Sequence, residues 1–485
     1  MNPATLVDGY KFSHRAQYPC GTTAVYSNWT PRESRVPGVD RVVFFGLQYF
    51  LQKYLEEEFG RDFFGRSEYE VAAKYQRRLS SYLGPDNTVG DEHIRALHRL
   101  GYLPLQFCAL PEGTRVPLRV PMFTVENTQA DFFWLTNYIE TVLSSAVWRP
   151  CTSATLAGEV RSVLEAAASR TGVDPAFVDW QGHDFSFRGM AGPDDAALSG
   201  AGHLVQFTGT DTVPALDLVE DYYGPLPEGY LIGASVPATE HSVMCAGGES
   251  SELETFSRIL DTYPKGIVSV VSDTWDLWNV LTVILPTLKG RIMARDGKLV
   301  IRPDSGDPVK IVCGDPAAPE GSPAYKGVVE LLWDIFGGTM TSTSHRVLDP
   351  HVGAIYGDSI TKERAGEICH RLALKGFASS NIVFGVGSFT YCFNTRDTFG
   401  FALKSTWVEI FGLGRPIFKA PKTGDGMKNS ARGRVAVVQT DAGLTLVENA
   451  SEEQQRGSLL QPVWRDGRFI RRVTFPEVRA NARRT

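Results

Sequence analysis

Apolar residues recur at helical spacing over residues 42–59 (VVFFGLQYFLQKYLEEEF), a run ending in a charged tail, and this pattern predicts an amphipathic helix. The same period over 67–83, 91–100, 129–147 and 153–170 predicts four more. Around 104–125 the pattern shortens, and LPLQFCAL and VPMFTVEN flank a PEGTRVP turn, as a strand pair requires. The first 150 residues therefore read as mixed α+β.

From about residue 177 the rhythm changes. Short β-prone runs at 177–185, 204–208, 230–236, 267–272, 298–302, 352–356 and 381–385 alternate with helical segments. Alternation of this kind predicts parallel strands joined by crossover helices, here an irregular parallel α/β barrel or a large open sheet. After about 395 the helical pattern fades and β-like runs return in FGFALKSTWVEI, RVAVVQT, LTLVEN and FIRRVTF. The organisation expected is an α/β barrel over 151–394 and a second, discontinuous α+β domain made of 1–150 and 395–485.

The predicted strands end in chemically loaded turns: HDF (183–185), TGTD (208–211), SVPATEH (235–241), SVVSDTWD (269–276), IRPDSGDP (301–308), IYGDS (355–359) and FGVGS (384–388). In barrels and in open α/β sheets alike, ligands collect at the carboxyl ends of the strands. Charge narrows what those ligands are. With 49 Lys plus Arg against 55 Asp plus Glu the chain is acidic, which argues against a general nucleic-acid partner. An anion must then be held by a local cluster of cations. Arg396, Lys404, Lys419, Lys422, Lys428, Arg432 and Arg434 form one candidate set for a pyrophosphate grip. The seven scattered cysteines contain no C-x-x-C pair, which fits reduced thiols in a cytoplasmic protein. The start MNPATLVDGYKFSH lacks a signal-peptide core and no apolar run is long enough for a bilayer, so no membrane partner is expected.

Several rim residues carry both a chemical and a purely structural interpretation. Arg302 can fork onto a phosphate or carbonyl, and Asp304 can accept from sugar hydroxyls or hold Mg²⁺ through water; both also suit a strand-end salt bridge. The glycines of IYGDS and FGVGS let backbone N–H groups approach a phosphate, and equally make ordinary turns. His241 suits a general base, a phosphate ligand or a phosphoryl acceptor, or else a first-turn residue of a helix capped by Thr239. His183 suits a hydrogen-bonded residue entering the core. Asp211 suits a helix cap or an acceptor for an amide. Of Phe185 and Phe187, alternation sends at most one into the site and the other into the core.

Taken together, these strings resemble the nicotinamide phosphoribosyltransferase family of type II phosphoribosyltransferases. The resemblance runs through D-x-YK-x-x-H (8–14), QYP (17–19), FGLQY (45–49), PEG (111–113), FTVENT (123–128), WLTN (134–137), HDF-x-x-RG (183–189), GTDTV (209–213), SVPA-x-EHS (235–242), SVVSD (269–273), IRPDSG (301–306) and TRD (395–397). It implies formation of nicotinamide mononucleotide and pyrophosphate from nicotinamide and phosphoribosyl pyrophosphate, with Mg²⁺, in a homodimer whose active sites are shared between subunits. It implies that Phe185 and the partner subunit's Tyr10 sandwich the base, that Asp211 accepts from the carboxamide and that Arg302 helps hold it. Asp273 and Asp304 would serve the ribose and Mg²⁺ region. Gly357, Asp358, Gly387 and Ser388 would surround the ribose phosphate, with Arg188 and the partner subunit's Arg396 nearby. Arg32, Lys404 and Lys419 would grip pyrophosphate across the subunit interface, and His241 matches the histidine that this family phosphorylates from ATP. The chain departs from the family at Ser388, where a glycine is usual, and at Ser186 and Phe187, where glycine and tyrosine are common. A carboxylate at Asp211 favours nicotinamide over nicotinate by accepting from an amide and repelling an acid.

Overall fold

The computed structural model describes residues 2–419 and 430–484; Lys422 and Lys428 lie outside them. The chain divides into two compact units. One holds the described residues up to Thr155, Leu218–Glu228 and those from Asn394 onward; the other holds Leu156–Asp217 and Gly229–Phe393. The helix Pro214–Tyr223 is thus divided at Leu218, where the sequence pattern assigned all of it to the barrel.

The first unit is built on a seven-stranded antiparallel sheet. Its order is Leu413–Pro416, Ala402–Ile410, Thr22–Thr30, Phe123–Asn127, Leu105–Ala109, Gln461–Arg465 and Arg468–Phe469. Trp29 lies at its centre, stacked between Phe123 and Phe401 at ring distances of 5.9 and 5.5 Å. The helix expected at 42–59 begins later: Arg41–Val43 is a strand and the helix starts at Leu47, running with π-type turns to Phe64. Its start is set from a distance, because the buried Glu112 carboxylate accepts from the N–H groups of Gly46 and Gln48. Pro150 does not end a helix either. Glu140–Thr171 is continuous through it, and the hydroxyls of Thr152 and Thr155 bond the carbonyls of Trp148 and Cys151. After 395 two helices stand where only strands were expected, Glu452–Arg456 and Phe475–Ala482.

The second unit is a curled parallel sheet in the order Gly209–Thr210, Gly182–Asp184, Ile382–Val386, Val352–Tyr356, Asp296–Arg302 and Lys265–Val271. Single parallel bridges tie Ala234 to Gly209 at one edge and Ala238 to Ser269 at the other. Residues 234–238 therefore join the two edges, which makes the barrel expected from the sequence and makes it irregular. Three of the seven predicted strands changed in this process. The 177–185 run is the helix Val178–Gln181 followed by a three-residue strand; the 204–208 run ends the helix Pro193–Leu204; and 230–236 contributes a bridge only.

Strand alternation divides the sheet into two faces. Val268, Val270, Leu299, Ile301, Ala354, Tyr356, Ile382, Phe384 and Val386 are buried in the hydrophobic core. Ile267, Ser269, Lys298, Val300, Arg302, Gly353, Ile355, Val383, His183 and Phe185 line a cavity of about 510 Å³. Among the described residues no helix is long and apolar enough to cross a membrane.

Candidate active site

The cavity runs along the inner face of the sheet to the carboxyl ends of its strands. Arg302, at the end of Asp296–Arg302, and Phe185, just beyond Gly182–Asp184, meet at this rim, with the guanidinium 5.8 Å from the ring centre. Gly385 leaves the space that the Phe185 ring occupies: a Cβ at that position would stand 2.5 Å from the ring and 2.8 Å from the Gly357 Cα. Phe187 is exposed, not buried in the core as alternation suggested, because the chain turns into the short helix Phe187–Gly189.

Asp211 also lines the cavity. Its Oδ1 accepts from His183 Nε2 at 2.9 Å and from Ser235 Oγ at 2.6 Å. Burial alone would raise this carboxyl, but the bonds from His183 and Ser235 and the charge of Arg302 hold it below the usual range. The loop carrying it is pinned from behind: buried His203 contacts the Gly209 carbonyl through Nε2 and the Tyr391 hydroxyl through Nδ1. His183 is thus a cavity residue paired with Asp211.

Two more carboxylates sit at the neighbouring strand ends. Asp273 Oδ2 accepts from the N–H groups of Asp304 and Ser305 at 2.9 and 2.7 Å and from the Ser305 hydroxyl. These bonds outweigh the desolvation that would raise it, so Asp273 is held below the usual carboxylate range. Asp304 is shifted the other way, pushed up by burial and by Asp273 against the pull of Arg302. Its Oδ2 receives Arg302 Nη2 at 3.3 Å. Asp273 Oδ1, Asp304 Oδ1 and Arg302 Nε are buried and make no hydrogen bond. Buried polar atoms without partners are rare, and three at one rim suit a bound water, ion or ligand that supplies the missing contact.

His241 is the first residue of the helix His241–Cys245, half exposed, with Nε2 3.5 Å from Asp273 Oδ1. Thr239 does not cap that helix; its hydroxyl accepts from the Val271 N–H and so fixes the loop to the sheet. Gly357 follows the strand Val352–Tyr356, and a Cβ there would fall 2.1 Å from Asp304 Oδ1. Asp358 is exposed beside it. Gly387 precedes the short helix Ser388–Tyr391, facing open space, and Gly189 packs so closely on Ser388 that the exposed Arg188 stands next to that turn.

The remaining candidates lie in the first unit, where four of them are electrostatic neighbours. Lys404 is held below the usual lysine range by burial and by Arg32, Arg396 and Lys419, with Glu140 opposing. Arg396 also acts on Tyr10, whose ring is 58% exposed. Sequence patterns did not single out Ser235, Ser269 or Lys298 as cavity residues. For Lys298 a signal existed: 298, 300 and 302 share one face of a strand whose end carries Arg302.

A curled parallel sheet with a largely apolar cavity, an arginine and three carboxylates at its carboxyl rim is the arrangement of a phosphoribosyl-transferring α/β enzyme. The same fold is seen in nicotinate-nucleotide pyrophosphorylase from Pyrococcus furiosus (TM-score 0.61, 16% identity, 99% of this chain and 94% of that one). It is also seen in human nicotinic acid phosphoribosyltransferase (TM-score 0.56, 16% identity, 98% and 92%). Residues 180–466 match the model of the nicotinate phosphoribosyltransferase family, and residues 2–62 match that of the nicotinamide phosphoribosyltransferase N-terminal domain. Among curated relatives, the nicotinamide phosphoribosyltransferase of Acinetobacter baylyi is 52% identical over 99% of this chain and 96% of its own length. That of Xanthomonas campestris is 34% identical over 98% and 97%. The chain belongs to the nicotinate phosphoribosyltransferase family and is a phosphoribosyltransferase.

Proposed function

We propose that this chain transfers the phosphoribosyl group to nicotinamide, forming nicotinamide mononucleotide and pyrophosphate for NAD salvage in the cytoplasm. The observation that carries the choice of base is Asp211: an ionised carboxylate in the cavity, with Oδ1 bonded by His183 and Ser235 and no bond to Oδ2 among the described residues. Beside it the Arg302 guanidinium lines the same cavity and brings N–H donors. An amide supplies the donor and acceptor that this pair lacks, whereas a carboxylate supplies two acceptors and a repulsive charge. Relatives named for nicotinamide transfer support the same choice.

Displacement at C1 of the ribose builds positive charge on the sugar and negative charge on the departing pyrophosphate. The pyridine nitrogen carries no proton, so the site needs no general base for attack and works by orientation. Phe185 and Arg302 would hold the ring, while Asp273 and Asp304 would take the ribose hydroxyls. Among the described residues no group of three or more His, Cys, Asp or Glu forms a metal cage. Two carboxylates, each with a buried oxygen that makes no hydrogen bond, nevertheless suit Mg²⁺, which keeps several waters and takes one or two protein carboxylates. Mg²⁺ held there would neutralise charge on the leaving group. Gly357, Asp358, Gly387, Ser388 and Arg188 would receive the ribose phosphate. Tyr10 and Arg396 from a partner subunit would complete the base and phosphate sites of a homodimer, with Arg32, Lys404 and Lys419 gripping pyrophosphate. The clustering of Arg32, Lys404 and Lys419 with Arg396 in one chain supports a single anion site contributed across the subunit interface, and the exposure of Tyr10 leaves its ring available to a partner. His241, half exposed and next to Asp273, suits a phosphoryl acceptor through which ATP would drive the transfer.

The test incubates the protein with phosphoribosyl pyrophosphate, Mg²⁺ and nicotinamide or nicotinate, with and without ATP, and identifies the nucleotide. Nicotinamide mononucleotide is expected. Turnover of nicotinate alone would overturn the choice of base, and no turnover of either would favour a phosphosugar-binding protein on the same scaffold.

A further inference from the structure

The two side chains that bond Asp211 have no part in the roles assigned so far. His183 comes from the strand Gly182–Asp184, Ser235 from the segment that joins the sheet edges, and both converge on the same oxygen, Oδ1, at 2.9 and 2.6 Å. A carboxylate on a short side chain beside an arginine ordinarily pairs with it. Here Asp211 and Arg302 are electrostatic neighbours that form no salt bridge, and Arg302 turns its Nη2 to Asp304 instead. The His183 ring is itself confined, since it lies so close to the Gly209 Cα that a Cβ there would stand 2.6 Å from Nδ1. Its other neighbour is the Phe185 ring, 4.7 Å away.

We infer that His183 and Ser235 are positioning residues for base selection: by clamping Asp211 Oδ1 they keep the carboxylate off Arg302, leaving Oδ2 as acceptor and the Arg302 guanidinium as donor for a carboxamide. Without the clamp the two charged groups satisfy each other, and the cavity loses both halves of its amide recognition at once. The ligand class is a planar heteroaromatic amide, and the inference rests on the nicotinamide activity proposed above. It places specificity in two hydrogen-bond donors to Asp211, in addition to the charge of Asp211 itself.

The experiment measures steady-state kinetics with nicotinamide, nicotinate and phosphoribosyl pyrophosphate for wild type, His183→Leu, His183→Gln and Ser235→Ala. Wild type is assayed first; if it makes no nicotinamide mononucleotide, the activity on which the inference depends is refuted and the inference falls with it. Given that activity, His183→Leu and Ser235→Ala should each raise KM for nicotinamide about tenfold or more and lower the nicotinamide-to-nicotinate preference. KM for phosphoribosyl pyrophosphate and kcat should stay within about twofold, because the binding lost is uniform. His183→Gln, which keeps a side-chain N–H donor, should recover most of the preference. The inference is overturned if neither the preference nor the nicotinamide KM moves in Ser235→Ala and His183→Leu. It is equally overturned if all parameters fall together and His183→Gln rescues nothing, the pattern of a merely structural role. Should His183→Leu fail to fold, Ser235→Ala and His183→Gln decide the matter alone.

Discussion

A single methyl group at Gly357 tests whether the Asp304 carboxylate is where the chemistry needs it. The new Cβ would lie 2.1 Å from Asp304 Oδ1, whereas ordinary contact needs about 3.5 Å, so the carboxylate must retreat by more than about 1 Å. Gly357 does not occupy the left-handed region, so alanine adds this collision without backbone strain. The side chain has little slack, since Oδ2 already holds Arg302 and the Asp304 N–H is bound to Asp273. A displacement of about 1 Å in a positioning group costs about 100-fold in rate, or about 2.7 kcal/mol of transition-state stabilisation. Overpacking costs stability separately, about 1–3 kcal/mol.

Gly357→Ala should therefore lower kcat/KM for phosphoribosyl pyrophosphate about 100-fold while KM for nicotinamide changes little. Gly385→Ala should differ, because its Cβ would strike the Phe185 ring at 2.5 Å as well as the Gly357 Cα at 2.8 Å, so KM for nicotinamide should rise along with that for phosphoribosyl pyrophosphate. Gly387→Ala is the control for stability: nothing stands within 4 Å of its Cβ, so the melting temperature should not move. The assay is initial-rate product formation with each substrate varied in turn, paired with thermal unfolding of every variant. Wild-type kinetics in a folded Gly357→Ala protein would refute the placement of Asp304 at the ribose.

Three further outcomes are expected. Asp211→Asn should reduce the preference for nicotinamide over nicotinate by about tenfold or more in competition assays, since an amide at this position neither repels an acid nor accepts as strongly; an unchanged ratio would leave Asp211 as a structural residue. Wild-type protein incubated with ATP labelled in the γ-phosphate should carry acid-labile phosphate that is absent from His241→Ala, and equal labelling would remove His241 from that role. Burial raises the Glu112 carboxyl from 4.5 to about 7 against the bonds from Gln48, Gly46 and Tyr223, so its protonated form is favoured in the folded state. Its contribution is then complete below about pH 4.5 and is lost as pH rises through 7, a change on the order of 3 kcal/mol, which Glu112→Gln should remove from urea-unfolding free energies compared at pH 5 and pH 8.

What could be foreseen from the sequence divides along a physical line. Lys265–Val271, Asp296–Arg302, Val352–Tyr356 and Ile382–Val386 were anticipated within one or two residues, because they are β-branched runs bounded by turn residues and flanked by helical periods. The run at 204–208 misled because a buried helix end and a buried strand are both continuously apolar; residues 196–204 are all buried, so the helix Pro193–Leu204 leaves no polar stripe to betray its period. The helix Phe475–Ala482 was hidden behind FIRRVTF although its capping box, Thr474 with Glu477, and its early proline were present in the sequence. The helix start at Leu47 had no such local signal, because the cap is Glu112, 65 residues downstream and visible only once the chain has folded. The site follows the same division. Phe185, Asp211, Arg302 and Asp304 stand in the loaded turns that the sequence pattern marks, and the family resemblance supplies their roles. The bond between His183 and Asp211 spans 28 residues and that between Ser235 and Asp211 spans 24. Both depend on which strands become neighbours in the sheet, so the chemistry of the rim is local in sequence while the control of its charges is set by topology.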